Sequence, residues 1–315
     1  MDFVSNVTQE SKIMKKLLIL ILILSIAISI SGCKTEKSST ENLKIVTTIF
    51  PAYDFAKQIC GDLADVNMLL KPGMESHAYD PTARDIINIK NADIFIYTGG
   101  ESESWANEIL SSVDKEKTTI ISMLDVVNTP IEKDTHEHNH NHVKFDEHVW
   151  TSPKKAIDIT KSISNAVISS DSKNKDIYAE NTNKYIKKLQ ELDEAFAEIE
   201  FKKPLIIGDR FPFSYLADDY DIEYYSAFPG CSEETEPGAK TMAELIEKIQ
   251  TNNISTVFYI EFSNQRIANT ISEATGCKKL MLHSCHNLSK EDFENQKTYL
   301  QLMHENLNNI KEAQK

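Results

Sequence analysis

The stretch "KNKDIYAENTNKYIKKLQELDEAFAEIE", residues 173–200, contains neither Gly nor Pro. Tyr178, Tyr185, Leu189, Leu192, Phe196 and Ile199 recur in it at steps of three, four or seven. That spacing places them on one stripe of an α-helix, so the segment reads as one long amphipathic helix, ended by Lys203-Pro204. On both sides of it, strand and helix patterns alternate. "LKIVTTIF" (43–50) reads as a buried strand, and Pro51 opens a helix carrying Phe55, Ala56 and Ile59. "DVNMLL", "DIFIYTG" and "TTIISML" read as further strands, with "PTARDIINIKNA" and "WANEILSSV" as helices between them. A helix over 153–169 leads to the long one. Beyond it, "PLIIGD", "IEYYSAF", "STVFYIEF" and "KKLMLHS" alternate with helical segments, and a last helix is expected over 291–311. Alternation of this kind implies parallel sheets with helices packed outside them. The expected fold is therefore α/β: two lobes, each with a mainly parallel sheet flanked by helices, joined by one long rigid helix. The boundaries are 43–172 for the N-terminal lobe, 173–200 for the linking helix and 201–315 for the C-terminal lobe.

The first 42 residues read differently. Lys15 and Lys16 precede an apolar run from Leu17 to Ile30, broken only by Ser25 and Ser29, and then Ser31-Gly32-Cys33. A basic start, a short apolar core and small residues make a secretory signal over 1–32, and Met14 is its more natural start. The run is short for a membrane span. "SISGC" resembles a bacterial lipobox, in which Cys33 carries the lipid, and the polar stretch 33–42 reads as a tether. The folded part is then expected on the extracytoplasmic face of the cell membrane, lipid-anchored. The net charge of −14 argues against a nucleic-acid partner, which needs cationic side chains to neutralise phosphates. A monomer is expected.

In open parallel sheets, ligands bind in the loops after the carboxyl ends of the strands. Those loops hold His77, His148, Asp209-Arg210, Glu261, His283 and His286. Imidazoles and carboxylates converging from two lobes suit Zn²⁺ and can accept Mn²⁺. Each has a plainer reading when taken singly: His77 as a helix cap, His148 as a half-buried loop residue. Five of the nine histidines lie in "HEHNHNHVKFDEHVW" (136–150), and His136 to His140 spells H-E-x-x-H. A zinc-protease reading needs both histidines on one helix face, and this polar tract has no helical apolar pattern. The expectation is instead a loop in which His136, His138, His140 and His142 capture metal weakly, or a solvated insertion.

Several segments together resemble the metal-binding lipoproteins of bacterial ABC transporters for zinc and manganese (cluster A-I). They are "IVTTIFPAYDFAKQICGD", "KPGMESHAYDPT" and "DEHVWTSP", and the likeness runs from Leu43 to the C-terminus. The resemblance implies a metal receptor that performs no chemistry and hands its ion to an ABC permease. It maps the first two ligands onto His77 and His148. The second lobe departs from the pattern. "GDRFPFSYLADDY" has Arg210 where the family has its third histidine, with Asp209 beside it, and counting from Gly276 puts His283 at the fourth, acidic position. The expected set is His77, His148, Asp209 and His283, with His286 and Glu261 as alternates. Imidazole dominance favours zinc over manganese. Cys231 and Cys285 follow second-lobe strands and can bridge in an exported protein, or Cys285 can serve as a thiolate ligand. Cys60 reads as a buried thiol. Two rivals from other classes stand: an exported zinc hydrolase using Glu261 or Glu147 as general base, and a surface adhesin.

Overall fold

The computed structural model describes residues 42–75, 79–127, 146–230 and 236–315. The signal and tether, Cys33, His77, His136, His138, His140, His142 and Cys231 lie outside the described residues. The first lobe runs β1 (Leu43–Thr47), α1 (Phe50–Cys60), β2 (Ala64–Met68), α2 (Ala83–Lys90), β3 (Ile94–Tyr97), α3 (Trp105–Leu110), β4 (Thr119–Ser122) and α4 (Met123–Val126). Helices α5 (Pro153–Ser170) and α6 (Lys175–Ala197) follow. The second lobe runs β5 (Leu205–Phe211), α7 (Ser214–Asp219), β6 (Tyr224–Pro229), α8 (Ala239–Thr251), β7 (Thr256–Ile260), α9 (Arg266–Thr275), β8 (Lys278–Leu282), α10 (Lys290–Glu294) and α11 (Tyr299–Ala313). Among the described residues, no helix is long and apolar enough to cross a membrane.

The two sheets have the same topology, β2-β1-β3-β4 and β6-β5-β7-β8, and every strand pair in them is parallel. Strand order reverses beside β1 in one and beside β5 in the other. Those are the switch points where a parallel sheet opens a crevice at its carboxyl ends. Alternate strand residues serve different cores. Ile45, Ile94, Ile96 and Ile121 of the first sheet and Leu205, Ile207, Phe258 and Ile260 of the second belong to one shared core. The intervening Val46 and Phe95 pack into a separate first-lobe cluster, and Ile206 and Val257 into a second-lobe cluster. Both sheets are thus covered on both faces, as continuous β-branched runs require. Gly208 permits part of this: a Cβ there would lie 2.8 Å from the Ala268 backbone, so α9 can approach β5 closely only over a glycine.

The long helix holds these parts together. Its buried residues include Tyr178, Tyr185, Leu189, Leu192 and Phe196, the stripe read from the sequence. Each such side chain stabilises by about 1.5–3 kcal/mol on burial, against propensity losses of at most about 0.7 kcal/mol at residues such as Asn181 and Thr182. Packing therefore decides the helix. Near its start, Asn181 donates to the Ile59 carbonyl (3.0 Å) and the Tyr185 hydroxyl to Asp54 (3.1 Å), both on α1. Near its end, Phe196 stacks on Tyr220 with ring centroids 5.4 Å apart, and the Tyr220 hydroxyl donates to Asp193 (2.7 Å).

Three expected boundaries differ. The first strand stops at Thr47 and α1 begins at Phe50, because Pro51, lacking an N–H, sits in the helix's first turn. The long helix spans Lys175–Ala197, with a 3₁₀ turn over Ser172–Asn174 before it. The expected single last helix is two, α10 and α11. Gln296 has a left-handed φ of 54°, and Thr298 restarts the helix with a capping box to Gln301.

Asp54 is a buried acid at the junction of α1, α6 and α11, where it also accepts from the Tyr299 N–H (3.3 Å). Burial raises its carboxyl to about 6, against the hydrogen bonds from Gln58, Tyr185 and Tyr299 that pull it down. The folded state then binds the proton more readily than the unfolded chain, so stability falls as pH rises from the ordinary carboxylate range to about 6. Asp54→Asn is expected to gain on the native protein by on the order of 2 kcal/mol between pH 4.5 and 7.5 in urea unfolding. Parallel pH profiles for the two proteins would show that Asp54 does not titrate in this way.

Candidate metal centre

The turn before α5 is organised by one carboxylate. Asp146 Oδ1 accepts the backbone N–H of His148 (2.8 Å) and contacts its ring Nδ1 (2.9 Å), while Oδ2 accepts the Ser214 hydroxyl (2.8 Å). The Tyr215 hydroxyl donates to the Asp146 carbonyl (2.9 Å). Burial alone pushes the Asp146 carboxyl up, but the His148 imidazole and these donors outweigh it and hold it below its ordinary value. An ionised carboxylate only accepts, so the Nδ1 of His148 carries a proton toward Asp146 and the ring orientation is fixed.

The neighbouring Glu147 is an anchor. Its carboxylate accepts the N–H groups of Glu101 (2.7 Å) and Ser102 (3.1 Å) and the Ser102 hydroxyl. Gly100, at φ 85°, makes room for it, since a Cβ there would lie 2.6 Å from Glu147 Cγ. Glu103 holds the same loop from the other side through the Thr98 N–H (2.6 Å), and burial raises its carboxyl to about 7.

The second lobe contributes the turn after β8. Cys285 there adopts a left-handed φ of 61°, between His283 and His286 in the chain. His283 is 3% exposed and turned inward. Its backbone N–H donates to Asn306 (2.7 Å), its carbonyl accepts from Asn306 (2.8 Å), and its Nδ1 accepts the Cys285 N–H (2.9 Å). The same Nδ1 lies 3.7 Å from Glu261 Oε1. His286 is partly exposed. Its ring lies 5.5 Å from that of His148, at 87°, and 4.9 Å from that of Trp150. Trp150, fully buried, donates its indole N–H to the Ser284 carbonyl (2.8 Å), and its own carbonyl accepts the Tyr299 hydroxyl (2.6 Å).

A small cleft between the lobes is lined by Met74 and Glu75 on one side and by Arg210, Glu261, Ser284 and His286 on the other, with His148 at its base. His148, His286 and Glu261 thus share the lining of one cleft. His283 and Asp209 are not on that lining, although His283 stands behind Glu261. Asp209 accepts the Arg210 N–H (2.9 Å) and the Ser263 hydroxyl. The Arg210 guanidinium pairs with Glu75 (3.0 Å) and not with Asp209. Glu261 accepts the Ser284 N–H (2.7 Å) and the Ser284 hydroxyl. Cys285 is a buried free thiol beside the His283 carbonyl (3.6 Å), and burial holds it well above its ordinary value. Cys60 is likewise buried and pushed up to about 12. Among the described residues, no three His, Cys, Asp or Glu side chains form a metal-holding group by themselves. His77 lies outside those residues, two positions after Glu75. The cross-lobe Glu75–Arg210 pair had no sequence signal, because the two stand 135 residues apart.

A family described as zinc-uptake complex component A, periplasmic, matches residues 45–313. The zinc-binding lipoprotein AdcA of Streptococcus pneumoniae is 34% identical over 308 residues, covering 95% of this chain and 61% of its own length. The chain therefore spans about three-fifths of that relative. The high-affinity zinc uptake system protein ZnuA of Bacillus subtilis is 30% identical, with 88% of this chain and 89% of the relative covered. The crystal structure of the Zn(II)-bound ZnuA-like domain of Streptococcus pneumoniae AdcA superposes with a TM-score of 0.72 at 33% identity, covering 87% of this chain and 99% of that one.

Trp150→Phe deletes the indole donor and leaves the Ser284 carbonyl buried beside a smaller ring. The expected loss is about 2–4 kcal/mol in urea unfolding, from an unsatisfied polar group plus lost packing. A loss below about 1 kcal/mol would mean that this hydrogen bond does not hold the two lobes.

Proposed function

The chain belongs to the family of periplasmic zinc-uptake components, and from that premise we propose that it is a high-affinity extracytoplasmic zinc receptor feeding an ABC importer. It binds the ion and presents it to a permease without transforming it. The observation that carries this reading is the His148 ring, held at Nδ1 by Asp146 and lining a cleft shared with His286. The proposed ligands are His77, His148 and His286, with Glu261 as the fourth. A carboxylate has lone pairs enough to keep its Ser284 contacts and still bind a cation. Asp209 and His283, which the pattern of the sequence nominated, serve the turns around the site. Three imidazoles and one carboxylate favour Zn²⁺ over Mn²⁺. The histidines from His136 to His142, shortly before His148 in the chain, act as a weak metal-collecting segment, and a lipid on Cys33 keeps the receptor at the membrane surface.

Elemental analysis of protein purified without added metal is expected to find zinc in preference to manganese. In competition with a zinc indicator, His148→Ala and His286→Ala should each weaken binding by more than about 100-fold, because outer partners of ligands alone are worth 10–100-fold. His283→Ala and Asp209→Ala should retain tight binding, and deletion of residues 136–142 should leave one tight zinc. Loss of binding in His283→Ala with His286→Ala intact would return the ligand role to His283. Retention in both His148→Ala and His286→Ala would overturn the site.

A further inference from the structure

The loop Lys71–Glu75 belongs to the first lobe by sequence, since it follows β2 and leads directly to His77. Its backbone is nevertheless held by the second lobe. The Gly73 N–H donates to the Leu288 carbonyl (2.7 Å). Asn287 donates from Nδ2 to two carbonyls of the loop, Lys71 (2.8 Å) and Met74 (2.9 Å), while its Oδ1 accepts the Leu288 N–H (2.8 Å). Asn287 is 1% exposed, so these bonds are shielded from water. The Glu75–Arg210 pair also crosses between the lobes, but its side chains are 46% and 25% exposed, and an ion pair that open adds little. Asn287 directly follows His286 in the chain. One turn therefore carries both a side chain facing the cleft and the clamp on the loop that leads to the opposite lobe's histidine.

We infer that Asn287 is a positioning residue for metal capture: it straps the Lys71–Met74 loop to the His286 turn, so that the first lobe's edge of the cleft is held against the second before the ion arrives. The inference rests on the reading above that His77 and His286 bind zinc. Ligands already in place lose less conformational freedom on binding, and the gain appears as affinity. The side chain suits the task because an amide offers two donors and one acceptor without charge. Its backbone partners exclude Asp, whose oxygens would face two carbonyl oxygens.

The test compares Asn287→Asp, nearly isosteric but without the donors, and Asn287→Ser, shorter and uncharged, with native protein. The control is Asn309→Asp on α11, which loses a comparable bond to the Met281 carbonyl (2.9 Å) and does not line the cleft. Circular dichroism selects whichever Asn287 variant is folded. Hydrogen exchange of the Gly73 amide in zinc-free protein reads the strap, and competition with a zinc indicator reads capture. Exchange at Gly73 should quicken and the zinc Kd should rise, each by at least about tenfold, in the Asn287 variant, with neither moving in Asn309→Asp. A folded variant with native Kd, or with unchanged exchange at Gly73, would overturn the inference. Should His148→Ala also leave zinc binding intact, the zinc reading has failed, and the exchange measurement alone decides whether the strap exists.

Discussion

The indole N–H of Trp150 reaches from the turn before α5 to the Ser284 carbonyl in the turn after β8, across the boundary between the lobes. Around this one bond the remaining contacts fall into place. The Trp150 ring packs against His148 and His286, and its carbonyl takes the Tyr299 hydroxyl, so the C-terminal helix is tied to the same point. A buried carbonyl and a buried indole N–H each need a partner, and here each is the other's. That requirement registers the two sheets to one another at the place where the metal is proposed to sit.

The electrostatics of the cleft follow from which acids are already engaged. Asp146, Glu147 and Asp209 each accept two or more protein donors, which hold the turns around the cleft. Asp146 in addition fixes the orientation of the His148 ring. Among the described residues, Glu261 and Glu75 are the carboxylates that line the cleft, and Arg210 pairs with Glu75, which offsets its charge there.

The shared hydrophobic core between the sheets limits how far such a molecule can move. Residues of both sheets, the long helix and α11 belong to one cluster, and Asn287 adds a polar clamp beside it. A stiff connection of this type suits an ion, which needs ligand spacing held within tenths of an ångström, more than a large organic solute that requires wide closure.

The α/β alternation, the parallel sheets, the long helix and the helix stripe from Tyr178 to Phe196 were legible in the sequence, because strand and helix periods depend on neighbouring residues alone. The segment around His148 was legible as a local motif for the same reason, but the contact of Asp146 with the His148 ring was not read from it. Tertiary structure decided three further matters. His286 lines the cleft while His283 is buried behind it against Glu261, a difference that a count along the chain from Gly276 does not carry. Arg210 pairs with Glu75 and not with its neighbour Asp209, because the partner comes from the other lobe. Asn287 clamps a loop 216 residues before it, at Lys71. Contacts of that separation arise only when two sheets are packed against each other, and no periodicity along the chain encodes them.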